Sequence, residues 1–409
     1  MKTSDPVSFD NTEIAFAYKS DSELKKAHFL FSSMGKPWLV NLGIKLTPAA
    51  VKWNLPFINS IIRNTIFKQF VGGETLEKNL EVAEKLEKFN VRVILDYGVE
   101  GKEGEENFDH ACEEFIRVIN YAATQPNIPF MSVKVTGIAR FGLLEKLDSL
   151  MHAGEGSLVS RYLKSVEKLS AGEKNEWHQV RTRMLRICET AAKGNVGVLV
   201  DAEDSWIQDP VDALVMLMMD TFNKRKAVLY NTIQHYRHDR MQFLKESLAG
   251  AEERNFILGM KLVRGAYMEK ERERAALMGY PSPIHPDKES TDRDFNEGVK
   301  FCIEHLEKIA LIVASHNEYS NLYAVQLMME KGWSLSHPHI HWSQLYGMSD
   351  NITFNLAHAG CSVSKYLPFG PLKDVLPYLI RRAQENSSMK GQTGKELALI
   401  KKELRRRSA

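Results

Sequence analysis

Cysteine is scarce: four residues in a chain of 409, with no CxxC among them. Cys112, Cys188, Cys302 and Cys361 are too scattered for a disulfide framework or a zinc ribbon, and buried thiols in a reducing compartment are expected. A charge excess is missing too. With 54 Lys+Arg against 52 Asp+Glu, nothing points to nucleic acid or another polyanion as partner. The start, MKTSDPVSFDNTEIAF, has acidic residues where a signal or transit peptide carries a basic region and an apolar core, so a cytoplasmic, unprocessed chain is expected. Its most apolar stretch, Trp38 to Phe70, is interrupted by Lys45, Lys52, Arg63 and Lys68, too often for a transmembrane span. GxGxxG, GxSxG and HExxH motifs do not occur, which leaves a dinucleotide phosphate turn, acyl transfer on a serine elbow and a zincin-type site without support.

What is present is a change of texture near residue 90. Residues 1–90 read as a helical extension: SDSELKKAHFLFSSM, a break at Gly35, Lys36 and Pro37, then GGETLEKNLEVAEKLEKFN with apolar positions at helical spacing. From Val91, short apolar or β-branched runs alternate with helical stretches. The runs are VRVILDY (91–97), FMSVKVT (130–136), VGVLVDA (196–202), KAVLYNTI (226–233), ILGMKLVRG (257–265), IALIVASH (309–316), HIHWSQLYG (339–347) and CSVSKYLPFG (361–370). Eight such units predict an α/β fold closed as a (β/α)8 TIM barrel over 91–388, with a helical insertion at 137–192. A tail at 389–409 reads as an amphipathic helix ending in basic residues, either a solvated cap or a contact for an anionic membrane.

Polar residues recur at the carboxyl ends of these runs: Asp96, Tyr97, Lys134, Asp201, Glu203, Gln234, Lys261, Arg264, His316, Asn317, Glu318, Gln344, Lys365 and Tyr366. A barrel active site is assembled from several strand ends at one face, which is the pattern expected of an enzyme. Lys134 and Asp201 read either as an ion pair across neighbouring strand ends or as a substrate-facing cation with its orienting carboxylate. In KLVRGAY, Lys261 and Arg264 would point to opposite faces of an extended strand unless the chain turns, and Gly265 suits close backbone approach. On a last helix from Leu372 to Asn386, Tyr378, Arg382 and Glu385 share a surface with Arg381 beside it. Two arginines on a largely apolar helix suit a planar carboxylate, with surface salt bridges and phosphate binding as the other readings. His337, His339 and His341 are close in sequence but lack the usual companion ligands, so no metal is expected.

The segments ILDYGVEG, MSVKVTG, VLVDAEDSWIQ, YNTIQHYRHD, KLVRGAYMEKER, VASHNEYS, QLYGMSDN and KYLPFGPLKDVLPYLIRRAQEN resemble, in order, the monofunctional proline dehydrogenase family. The resemblance implies a distorted (β/α)8 barrel that holds FAD, oxidises L-proline to Δ1-pyrroline-5-carboxylate and passes electrons to a quinone. It implies that Arg381, Arg382 and Lys134 hold the proline carboxylate, that Glu385 pairs with an arginine and that Asp201 supports the basic cluster. Leu345, Tyr366 and Tyr378 would wall the ring, Tyr267 would be a further active-site tyrosine, and Gln234, Lys261, Arg264 and His316 would contact FAD. Many bacterial members read RLVKGAY, so which cation lies near the flavin stays open. Tyr366 favours proline over hydroxyproline, whose family branch lacks a tyrosine there. Oxidation of hydroxyproline and an inactive metabolite-binding barrel are the alternatives. Peripheral contact with an inner membrane face fits a quinone acceptor, and nothing in the sequence assigns an oligomeric state.

Overall fold

The structure, a computed structural model, describes residues 7–53, 56–98, 103–388 and 392–409. The first residues of the expected unprocessed start and residues 389–391 of the expected tail lie outside the described residues. Eight parallel strands, β1 (Val91–Tyr97), β2 (Phe130–Val133), β3 (Gly197–Val200), β4 (Leu229–Gln234), β5 (Leu258–Val263), β6 (Ile309–Ala314), β7 (Ile340–Leu345) and β8 (Val363–Phe369), close into a barrel in sequence order. The eight runs read from the sequence are these strands. Several end earlier than the apolar runs do: Lys134, Asp201 and Arg264 lie just past β2, β3 and β5. Their side chains therefore start where the backbone is leaving the ladder.

By its contacts the chain divides into two compact units, residues 1–100 with 342–409, and residues 101–341. In the first unit, β8 pairs with β1 so that Tyr366 is level with Ile94, and Gly73 bridges Phe369. Its amino-terminal part is helical as expected: Thr12–Phe16, Asp21–Met34, Pro37–Lys52, Pro56–Ile62 and Leu76–Glu87, with a π turn at Arg63–Phe67. Ser20 and Glu23 form a capping box that starts Asp21–Met34 by satisfying two otherwise open backbone amides. Phe16, Phe31, Phe70, Leu379 and Ile400 meet in one apolar cluster, which ties these helices to Leu372–Ser388 and Gln392–Ser408.

The carboxyl-terminal helix is not a detached basic tail. Arg407 donates to Glu403 at 2.7 Å, to the Lys19 carbonyl at 2.8 Å and to the Phe16 carbonyl at 2.8 Å. Arg406 donates through Nε and Nη2 to the same Glu403, which is fully buried. Two of the terminal arginines thus fasten the helix to the amino-terminal helices.

The second unit carries β2 to β6 and the 137–192 insertion, which folds as helices Phe141–His152, Leu158–Glu167 and Ala171–Gly194. A second capping box, Ser170 with Glu173, starts the longest of these, and Asn195 at φ 57° ends it in the left-handed conformation. Trp177 Nε1 donates to the Tyr162 hydroxyl at 2.8 Å in its core. Asp212, fully buried, accepts from Arg240 at 2.9 Å, Gln208 at 2.8 Å and Asn231 at 2.9 Å, so this charged group has its partners. All four cysteines are buried free thiols, and burial pushes Cys112 up to about 11.

Candidate active site

In the second unit, β2 and β3 pair with Val133 level with Val200, which sets Lys134 and Asp201 just past adjacent strand ends. Asp201 forms an ion pair with Lys261, a buried residue inside β5 whose neighbours in register are Thr232 and Ile312. Lys261 of β5 is thus a cation on Asp201 that the sequence reading had not paired with it. Lys134 itself is half-buried. Glu203 accepts from the Thr136 hydroxyl at 2.8 Å, and its carbonyl accepts from Gln234 Nε2 at 2.9 Å.

Gln234 closes β4 and is buried, and its Oε1 has no hydrogen-bond partner among the described residues. A buried amide oxygen in that state costs about 1 to 3 kcal/mol, so the arrangement is suited to a donor from a bound molecule. Arg264 follows β5 and donates from three nitrogens: to Asp292 at 2.6 Å, Ser315 at 2.8 Å and Ser320 at 2.9 Å. Burial lowers its pKa and Asp292 works against that, but a guanidinium stays charged. Its plane also lies 4.4 Å from the Phe295 ring centre. Between Lys261 and Arg264 the chain stays in β5 as far as Val263. Gly265 has φ 140°, and a Cβ there would stand 2.5 Å from the Tyr236 ring, so only glycine fits. Tyr267, half-buried, precedes helix Met268–Met278, and His316, half-buried, follows β6 beside Ser315.

In the first unit, β7 and β8 place Leu345, the last residue of β7, level with Tyr366 in the middle of β8, both half-buried. Lys365, on the alternate face, is fully buried and pairs with Asp350 at 2.9 Å. Asp350 also meets Lys19 at 3.3 Å and accepts from the Tyr18 hydroxyl at 2.8 Å. Lys365 thus belongs to a buried structural ion cluster, although its sequence position resembled that of a site residue.

Helix Leu372–Ser388 carries Tyr378, Arg381, Arg382 and Glu385. Arg382 pairs through Nη2 with Glu385, and its guanidinium stacks 5.2 Å from the Tyr378 ring centre. The expected sharing of one helix surface by Tyr378, Arg382 and Glu385 is seen. Arg382 and Tyr378 are both buried, yet Arg382 Nε and the Tyr378 hydroxyl have no hydrogen-bond partner among the described residues. Burial pushes the Tyr378 phenol up, so it remains a neutral donor at ordinary pH. Burial also raises Glu385, with Arg382 and Arg381 opposing. Two buried polar groups one helical turn apart, both able to donate and both unmatched, are chemically fitted to an anionic ligand.

The histidine cluster is used locally: His339 Nδ1 contacts the Leu306 carbonyl at 2.7 Å, His337 accepts from the His339 amide, and His341 packs edge-on against Phe130. Sequence reasoning left out Asp292, Ser315, Ser320 and Thr136, the groups that position Arg264 and Glu203. Only the chain's return through later elements brings them there.

Eight parallel strands closed in sequence order, with helices between them, define a (β/α)8 barrel. A family model described as proline dehydrogenase matches residues 79–395, and the chain belongs to that family. The chain is 35% identical over 378 residues to "Proline dehydrogenase 1, mitochondrial" of Dictyostelium discoideum, covering 86% of this chain and 66% of that protein. It is 31% identical over 419 residues to "Hydroxyproline dehydrogenase" of Xenopus laevis, covering 96% of this chain and 88% of that protein. Among solved structures, proline utilization A (PutA) from Bdellovibrio bacteriovorus superposes with a TM-score of 0.69 at 19% identity. That match covers 96% of this chain and 38% of PutA, and supports the fold.

Proposed function

We propose that this chain is an FAD-dependent proline dehydrogenase that oxidises L-proline to Δ1-pyrroline-5-carboxylate and delivers the electrons to a quinone. The observation that carries the reading is the pair of unmatched buried groups, Tyr378 hydroxyl and Arg382 Nε, on the helix of the family segment KYLPFGPLKDVLPYLIRRAQEN. Family membership supplies the substrate class.

In this reading the catalytic barrel is 91–388, with the extension at 1–90, the insertion at 137–192 and the tail at 389–409 as additions to it. Arg382 and Arg381 bind the proline carboxylate with Lys134 as a third cation, and Glu385 holds Arg382 in its orientation. Tyr378, Tyr366 and Leu345 shape the ring's surroundings and exclude water, and Tyr267 is a further contact. The unmatched Gln234 oxygen and the basic residues Lys261 and Arg264 suit the polar edge and phosphates of FAD, with His316 as an additional contact. Asp201 balances Lys261, which keeps that buried cation in place. When bound, FAD supplies the two-electron acceptance that side chains lack. The chain's own task is to fix the substrate so that its C5–H bond is oriented for oxidation. The oxidation removes a hydride from C5 and a proton from the ring nitrogen, leaving a C=N bond.

Peripheral association with a membrane follows from the quinone acceptor. No described helix is long and apolar enough to cross a bilayer. The second reading, oxidation of hydroxyproline, is favoured by the likeness to the Xenopus laevis protein. An anaerobic absorption spectrum of the purified protein tests both. The proposal expects flavin bands that bleach with L-proline faster than with 4-hydroxyproline. Colourless protein, or bleaching by hydroxyproline alone, rejects it.

A further inference from the structure

From Leu24 to Gly73 the chain runs 50 residues without a single Asp or Glu, while carrying seven basic residues: Lys25, Lys26, Lys36, Lys45, Lys52, Arg63 and Lys68. The rest of the chain holds all 52 acids. The same segment holds most of the largest exposed apolar side chains in the first unit. Trp38 is 68% exposed, Trp53 73% and Phe57 77%, and Phe29, Leu39, Leu42, Leu46 and Ile61 are exposed as well.

These residues are organised by the helices that carry them. On Pro37–Lys52, Val40, Ile44 and Val51 pack on the apolar cluster while Leu39, Leu42 and Leu46 recur at helical spacing on the exposed side, with Lys45 among them. On Pro56–Ile62, Ile58 and Ile62 pack inward and Phe57 and Ile61 face out. A surface helix of a water-soluble monomer has a polar outer face, and these two do not.

We propose that this face, Trp38, Leu42, Leu46, Trp53, Phe57 and Ile61 with the surrounding lysines, docks onto the surface of an anionic lipid bilayer. It deepens the peripheral-membrane reading above and rests on it for its purpose. Three observations select the bilayer. Tryptophan prefers the membrane interface, where an apolar ring and an N–H are both accommodated, and both exposed tryptophans of the segment lie here. An apolar face flanked by lysines, on helices too short to span, is the form of an element that lies in the interfacial plane. The acid-free run matches anionic headgroups, whereas two-fold pairing with a second copy would set the exposed Lys36 and Lys45 of this face against like charges. The carboxyl-terminal arginines are a poorer candidate, because Arg406 and Arg407 are spent on Glu403 and the amino-terminal helices.

The test is cosedimentation of the full chain with vesicles of equimolar phosphatidylglycerol and phosphatidylcholine, against vesicles of phosphatidylcholine alone. The wild type is expected to bind the anionic vesicles more tightly and to lose that preference in high salt. The triple variant Trp38→Ser, Trp53→Ser, Phe57→Ser and the double variant Lys36→Glu, Lys45→Glu are each expected to bind at least about 10-fold more weakly. Arg405→Glu on the tail is expected to bind as the wild type does. Proline-dependent reduction of a water-soluble dye should be unchanged in all of them, so a chain that binds vesicles without oxidising proline would defeat the proposed activity and leave this face standing. Wild-type protein that ignores anionic vesicles, or variants that bind like it, would overturn the proposal. So would a concentration-dependent dimer, seen by light scattering, that the triple variant abolishes without any vesicle binding in the wild type.

Discussion

Two arginine pairs on two helices of the same unit share a pattern and differ in what they do. Arg381 and Arg382 precede Glu385 in RRAQE, and Arg406 and Arg407 follow Glu403 in ELRRR. In the tail, Glu403 is fully buried and both arginines reach it, while the remaining nitrogens of Arg407 are taken by Asp21 and two backbone carbonyls. On Leu372–Ser388, Arg382 meets Glu385 through Nη2, and its Nε and the neighbouring Tyr378 hydroxyl are buried without hydrogen-bond partners among the described residues. Satisfied arginines fasten a helix. An arginine left partly unmatched in a buried place is poised for a ligand, because leaving it so costs free energy that binding recovers.

The comparison is broken most directly at Arg382. Arg382→Met should lower kcat/KM for L-proline by about 10³, in line with the roughly 3 to 5 kcal/mol lost when one partner of a buried charged contact is removed. Flavin content should persist, as read from the absorption spectrum. Loss of flavin and activity together would place Arg382 in a merely structural role.

The tail helix also carries Glu396, whose pKa burial raises to about 7, with the Asp350 charge adding to the effect. A folded state that holds this proton more tightly than the unfolded chain loses stability as pH rises from about 4.5 to about 7. Glu396→Gln removes that dependence while keeping an acceptor for the Ser349 amide. Denaturant melts should therefore show the variant gaining on the wild type by about 2.5 kcal/mol between pH 5 and pH 8. A constant difference across that range would contradict the assignment.

Arg407→Ala is the counterpart of the first substitution. It should cost about 1 to 2 kcal/mol of stability, because Arg406 still meets Glu403. The value of kcat/KM for proline should be unchanged, and a kinetic loss matching that of Arg382→Met would erase the distinction between the pairs. The smallest effect is expected at Tyr366→Ser. Discrimination between proline and 4-hydroxyproline should shrink by about 10-fold, the scale of a single apolar contact in a small pocket. An unchanged ratio of the two kcat/KM values removes Tyr366 from the ring contact.

Much of the fold was legible because burial on both faces of a parallel strand leaves a continuous apolar run, and all eight runs became strands. Tyr378, Arg382 and Glu385 were legible as a set because three- and four-residue spacing is the helix's own geometry. The pairing of Asp201 with Lys261 was not. Lys261 lies inside β5, 60 residues from Asp201 in the chain, and only the closing of the sheet brings the two groups together. Lys365 illustrates the converse. Beside Tyr366 it has a site residue's position, yet the two-residue alternation of the strand sends it into the buried cluster with Asp350 and Lys19.

By itself, the sequence determined the secondary structure, the barrel order and the family, since these depend on local periodicity and on residues read in succession. Tertiary structure decided which cation balances which carboxylate, which arginine pair is fully matched, and which apolar helix face is left exposed. A charge's role depends on the groups within a few ångströms of it, and those groups come from distant parts of the chain. Four scattered cysteines became buried thiols, and the near-zero net charge conceals a 50-residue run with no acid in it, whose meaning appeared only once its tryptophans were seen to face outward.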